Sequence, residues 1–171
     1  MKNGLPPPLA AASTDTSGQA RVTEGRPLQE SNQVNQTFRR DDLPLVVVTA
    51  AVIERDGAFL LTRRLDGTHL AGHWEFPGGK RHDAETLEAS LIREIQEELD
   101  ARVEVGAEIL ATTHEYPDRT IELRFFRCVL RSEPRPVLGQ QMRWVPRAAL
   151  ASLPLPPADN ELVRRLIAGE I

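Results

Sequence analysis

Apolar residues follow two different periods along this chain, and the change from one to the other marks out its elements. From Leu43 the stretch LPLVVVTAAVIE is apolar and rich in β-branched residues, and AFLLTRR follows it across Arg55-Asp56-Gly57. Two such runs around an Asp-Gly pair predict a β-hairpin. Leu65 to Pro77 is dense in turn formers and returns through WEFPGG, which predicts a loop leading back to a strand and ending in a glycine turn. The period then lengthens. Leu87, Leu91, Ile95 and Leu99 recur behind Thr86, so a helix of about 13 residues with a threonine N-cap is expected there.

Beyond that helix, RVEV and AEILATTHEY predict two strands, Tyr116-Pro117-Asp118-Arg119 a turn, and TIELRFFRCVL a returning strand with Ile121, Leu123 and Phe125 on one face. Ser132 to Gln141 is a loop rich in helix and strand breakers, and MRWV is a short strand. Pro146 opens a short helix to about Leu153, and Asp159 caps a last helix that stops at Gly169. Strands interleaved with one dominant helix place the fold in the α/β or α+β class, with helices packed on a mixed sheet. Trp74, Phe76 and Phe126 are expected in the core, whereas Phe125 can belong either to the core or to a ligand cleft.

Composition refines this picture. Residues 1–40 are rich in Pro, Ser, Thr, Gln and Asn and have no aromatic before Phe38, so they are expected to be a disordered extension, with 41–171 forming the one domain. The formal net charge of -4 argues against a nucleic-acid polymer or an anionic membrane as partner, because both require a basic field. No apolar run approaches the roughly 20 residues of a spanning helix, and the first residues lack the apolar core of a signal peptide, so none is expected. The single Cys128 cannot form an internal disulfide and reads as a packed, reduced thiol, which together with the absence of a signal peptide predicts a cytoplasmic protein.

The helix also carries the candidate chemistry. Glu94 stands three residues before Glu97 and four before Glu98, so the carboxylates share one region of helix surface, and Arg93 stands four before Glu97. Like charges at this spacing repel by a few tenths of a kcal/mol per pair, roughly. A solvated acidic face is one reading. The other is a bound divalent cation, since clustered carboxylate oxygens suit hard Mg²⁺, with substrate phosphates completing the shell. Gly78-Gly79 precedes the helix where the backbone can approach a ligand.

The order Gly79, five residues, Glu85, seven residues, then Arg93-Glu94-Ile95-Gln96-Glu97-Glu98 resembles the box of the Nudix hydrolases, G-x5-E-x7-R-E-U-x-E-E-x-G-U, where U is bulky and apolar. Every specified position through Glu98 agrees. Asp100 and Ala101 then stand where the pattern has glycine and an apolar residue, and a small stability cost is expected because a helix C-terminus prefers a cation to Asp100. His82 and Ala84 also differ from the residues common in that loop. The wider likeness covers roughly Leu43 to Ile167: TRR, WEFPGGK, EYPDRTIELRFF and PPADNELV look like the MutT-type 8-oxo-dGTP diphosphatases and like the CTP and 5-methyl-dCTP pyrophosphohydrolases.

The resemblance implies a Nudix fold, a mixed sheet sandwiched between helices, and hydrolysis of a nucleoside triphosphate with Mg²⁺, for which Mn²⁺ can substitute; a monomer is expected. The resemblance makes Glu94, Glu97, Glu98 and the Gly78 backbone the metal ligands. One of those glutamates, or a carboxylate from the later loop, is then the base, Arg93 orients a ligating glutamate, and Gly79 and Glu85 shape the loop. MutT-type proteins also use an acid in the loop before the last strand, but PVLGQQMRW contains none. Substrate contacts fall on Arg63, Arg64, Gly79, Phe125 and either Asp159 or Asn160, since the MutT asparagine aligns with the first without a gap and with the second with one. An oxidised purine such as 8-oxo-dGTP is the first expectation, with CTP-type, ADP-ribose or dinucleoside polyphosphate substrates and a catalytically idle nucleotide-reading module as alternatives.

Overall fold

The computed structural model describes residues 43–171; the expectation for residues 1–40 lies outside them. Strands β1 (Leu45–Arg55) and β2 (Ala58–Arg63) form the first hairpin. Asp56 and Gly57 turn it with positive φ at both central positions, the geometry that matches strand twist in a two-residue loop. β3 (Trp74–Glu75) pairs with β2. The glycine pair expected to end that segment as a turn is instead part of a strand, β4 (Gly78–Lys80), antiparallel to the centre of β1 with Gly78 opposite Ala50 and Gly79 opposite Thr49.

Helix α1 (Leu87–Leu99) is the predicted 13-residue helix, and the Thr86 hydroxyl accepts from the Ala89 amide as its N-cap. RVEV and AEILATTHEY are one strand, β5 (Val103–Tyr116), whose register shifts near Glu108 against β6 (Arg119–Leu130). Such irregularities let a long edge strand bend, which conceals its continuity from simple alternation. β7 (Met142–Pro146) pairs with β2. The expected short helix after Pro146 is a 3₁₀ helix, Arg147–Ser152, and a single 3₁₀ turn, Pro157–Asp159, leads into α2 (Asn160–Ala168).

Among the described residues seven strands run in the order β3-β2-β1-β6-β5, with β4 on β1 and β7 on β2. β1 and β6 are parallel, so the sheet is mixed, as the pattern predicted. One face packs Leu91, Ile95 and Leu99 of α1 against Ala51, Ile53, Leu60, Phe126 and Cys128. The other packs Leu162, Val163 and Leu166 of α2 against Val52, Phe59, Leu61, Phe76 and Phe125. Burial pushes the Cys128 thiol up to about 12, so it stays protonated and inert. Among the described residues no helix is long and apolar enough to cross a membrane.

Candidate functional site

The pairing of β4 with the middle of β1 sets two glycines beneath α1, and a side chain at either would collide, at Gly78 with main chain and at Gly79 with the end of a side chain. Gly78 has φ +150, and a Cβ there would come within 3 Å of the Thr49 carbonyl oxygen. At Gly79 a Cβ would fall within 3 Å of the Glu94 carboxyl group itself. The Glu94 carboxylate therefore lies directly on the β4 backbone.

Arg93 organises the acidic residues around it. Its Nε donates to Glu85 Oε1 at 2.7 Å and Nη2 to Glu85 Oε2 at 3.0 Å, Nη1 to Glu94 Oε1 at 2.9 Å and Glu97 Oε2 at 3.0 Å, and Nη2 again to the Lys80 carbonyl at 3.1 Å. All five guanidinium N–H groups are thus engaged. Glu85, also bonded by the His82 amide, is held at about 2 by its hydrogen bonds to Arg93, so it remains a carboxylate that braces the loop. Lysine, a point charge with three donors, cannot reproduce this fork.

Glu98 has a different environment. Its Oε2 is buried with no hydrogen-bond partner. Burial first, and then the neighbouring Glu75 and Glu94 charges, push its carboxyl up to about 8, against the opposing pull of the Gly78 amide and Arg64. An orphaned acid oxygen facing a cleft calls for a cation, and with Glu94 and the Gly78 backbone it supplies the hard oxygen donors that a divalent ion takes. Glu97 stands apart: its side chain is 57% exposed and turned toward Arg93. Among the described residues no three acidic, histidine or cysteine side chains already converge as a closed metal cage.

Glu94 and Glu98 open into a cleft of ≈ 720 Å³, whose walls include Gly78, Gly79, Lys80, Arg63, Arg64, Glu75, Tyr116, Arg119, Gln140 and Asp159. This volume suits a nucleotide-sized ligand. Of the two alternatives at the start of α2, Asp159 lines the cleft at 4% exposure, whereas Asn160 is exposed and absent from its walls. Asp159 makes no side-chain cap bond, contrary to its expected role as the cap of α2. Burial, reinforced by the Glu75 charge and opposed by Arg64, pushes its carboxyl up to about 8. Phe125 is fully buried, edge-on to Phe76 behind the cleft, and is no part of its wall.

The two arginines reach the cleft with much of their bonding capacity already committed. Arg64 pairs with Glu75 and donates from Nε to the His69 carbonyl at 2.6 Å. Arg63 donates from Nε to the Gly72 carbonyl at 3.0 Å and from Nη1 to Gln141 at 3.3 Å. They fasten the 65–72 loop, and the His69 ring then meets Tyr116 edge-on at 5.1 Å across the mouth. Glu75, Lys80, Tyr116, Arg119 and Gln140 escaped the sequence reading. Only Glu75 carried a signal, an acid set between Trp74 and Phe76 in an otherwise apolar strand.

A NUDIX domain model matches residues 48–165. The chain belongs to the Nudix hydrolases. An 8-oxo-dGTP diphosphatase of Haemophilus influenzae is 38% identical over 74% of this chain and 94% of its own length. A CTP pyrophosphohydrolase of Escherichia coli is 33% identical over 74% of this chain and 94% of its own. The solution structure of the Escherichia coli ORF135 protein superposes with a TM-score of 0.68 at 31% identity, covering 76% of this chain and 94% of that one. These likenesses extend over the whole domain, so this Nudix chain shares its fold and its enzymatic frame with phosphoric anhydride hydrolases.

Proposed function

We propose that this Nudix hydrolase cleaves nucleoside triphosphates to monophosphate and pyrophosphate with Mg²⁺, or Mn²⁺ in its place. Its substrates are oxidised purine deoxynucleotides such as 8-oxo-dGTP, so that it removes damaged precursors before they enter DNA. The observation that carries this reading is one cleft shared by two buried acids of different character, Glu98 beside Glu94 and, apart from them, Asp159. The first pair suits a metal and phosphates. Asp159 suits a base.

The metal would rest on Glu94, Glu98 and the Gly78 backbone, with Glu97 of the same helix face as a further carboxylate. Bound there, it would neutralise phosphate charge and lower the pKa of an attacking water. Arg93 fixes Glu94 and Glu97, and Gly79 leaves the space in which the Glu94 carboxylate lies. The Glu75–Arg64 ion pair lines the same cleft, where the Glu75 charge raises both Glu98 and Asp159 and Arg64 opposes it.

With its proton held to about pH 8, Asp159 donates through its O–H and accepts through its C=O, the same pair of functions as an asparagine amide. The 8-oxopurine edge offers the complementary N7–H donor and O6 acceptor. Cytosine offers an N3 acceptor and an N4 amino donor, which the same pair of functions also matches, and this carries a second reading, CTP-type hydrolysis. We take the enzyme to work as a cytoplasmic monomer on free nucleotides.

The test is Mg²⁺-dependent hydrolysis of 8-oxo-dGTP, dGTP, CTP, dCTP and ADP-ribose, compared by kcat/KM with products identified. A large preference for 8-oxo-dGTP with pyrophosphate released supports the first reading. A preference for the pyrimidines moves the assignment to the second, and absence of turnover on all five with Mg²⁺ present rejects both.

A further inference from the structure

The C-terminal end of α1, which carries Glu97 and Glu98, is closed by a distant loop and not by its own next residues alone. A helix end leaves its last carbonyls without partners in the helix. Here the Asp100 amide caps the Gln96 carbonyl from αL geometry, but the Glu98 and Leu99 carbonyls are taken by the segment between β6 and β7. Arg135 N donates to Leu99 O at 2.7 Å and Val137 N to Glu98 O at 3.1 Å. The Arg135 guanidinium also pairs with the Asp100 carboxylate, which Gln96 Nε2 holds from the other side at 3.0 Å. The acid that replaces the box glycine has thereby become an anchor for this loop.

One polar side chain of that loop lies inside the protein. Gln140 is 8% exposed, and both ends of its amide are used. Nε2 donates to the Glu98 backbone carbonyl at 2.8 Å, and Oε1 accepts the Leu138 amide at 2.9 Å. Gln140 and Leu138 line the same cleft as the Glu98 carboxylate. The amide thus connects the residue bearing the orphaned carboxyl oxygen to the loop that walls the cleft beside it.

We propose that Gln140 is a positioning residue, which fixes the main chain of Glu98 and so the direction in which its carboxylate enters the cleft. This rests on the reading of Glu98 as a metal-holding residue of a nucleotide hydrolase. A buried amide with both functions satisfied has a single orientation, and replacing it leaves the second acceptor site of the Glu98 carbonyl empty while releasing the turn at Leu138. Gln140 acts through Glu98 and has no need to touch the substrate. In this chain it stands in the loop where MutT-type proteins carry an acid, so the loop contributes orientation in place of a charge.

The test compares Gln140→Met, close in volume but without the amide, with Arg135→Met, which loosens the same loop from its exposed end and leaves the bond to Glu98 in place. Gln140→Asn, too short to reach the Glu98 carbonyl, serves where the methionine variant folds poorly. Three quantities are read: kcat and KM on the best nucleotide, Mg²⁺ affinity by calorimetry without substrate, and Tm. The expected result is a fall of about 10- to 100-fold in kcat and a weaker Mg²⁺ affinity for the Gln140 variants, at nearly unchanged KM. Arg135→Met should share the loss in Tm and keep its kcat and Mg²⁺ affinity. A Gln140 variant with wild-type kcat and Mg²⁺ affinity overturns the proposal, as does an equal loss in both variants, which would mean general undocking of the loop. Wild-type protein that neither binds Mg²⁺ nor turns over any nucleotide would overturn the functional reading, and this assignment with it.

Discussion

The backbone of Gly79 lies against the carboxylate of Glu94, with no room between them for a methyl group. Its φ is not in the left-handed region, so alanine is tolerated by the backbone at this position and the penalty falls on Glu94. Gly79→Ala should therefore push the Glu94 carboxylate aside while β4 keeps its pairing with β1. The expected outcome is a fall of about 10- to 100-fold in kcat with a circular dichroism spectrum like that of the wild type. Gly78→Ala should instead lower the Tm, because its Cβ would meet main chain at Thr49 and its φ is strained for any L side chain.

The five-donor hub at Arg93 yields a second test. Arg93→Lys keeps the charge but must give up most of the bonds to Glu85, Glu94, Glu97 and the Lys80 carbonyl. Both the loop and the acid pair lose their brace, so stability and kcat should fall together. Glu85→Gln removes only the loop's share, and should lower the Tm with a smaller effect on kcat. Thermal melts and steady-state kinetics on the two variants separate these contributions.

Much of this site was legible in the chain, and what escaped has a physical reason. The repeat Leu87, Leu91, Ile95, Leu99 located α1 because burial of one stripe forces that spacing, and the carboxylates followed from it. Gly78-Gly79 read as a turn because glycine is common in turns, but here it makes a strand whose lack of side chains admits Glu94. Phe125 could not be placed by alternation, since both faces of the sheet are covered and an inward aromatic can belong to core or cleft. Nor could spacing show that Gln140 reaches Glu98 across 42 positions, a contact made only when the loop docks on the helix.

Metal dependence should be visible without any substrate. Burial of an unpartnered Glu98 oxygen beside Glu94 and Glu75 is unfavourable when the carboxyl is ionised, and a divalent ion reverses that sign. Adding Mg²⁺ should raise the Tm, and chelation should return it to the metal-free value. In Glu98→Gln the charge repulsion is gone, so the metal-free Tm should exceed that of wild type and the response to Mg²⁺ should shrink. An undiminished Mg²⁺ response in that variant would remove Glu98 from the metal site.

If Asp159 reads the base as proposed, its proton connects stability to substrate choice. Its folded pKa, about 8, stands above the ordinary value of 3.8, so the folded protein binds a proton that the unfolded chain has released. The contribution of this group to stability is fully present below about pH 4 and is lost as the pH rises toward 8. Asp159→Asn cannot ionise, so its Tm should exceed that of wild type at pH 8 and converge with it near pH 4. The same substitution fixes the donor and acceptor pattern that wild type holds only while protonated. Activity toward 8-oxo-dGTP should then survive in Asp159→Asn and lose the fall that wild-type base recognition shows, as a rise in KM, above pH 8. If the wild type instead tightens its KM as Asp159 ionises, the carboxylate is the form that reads the base, and the cytosine N4 amino group becomes its partner.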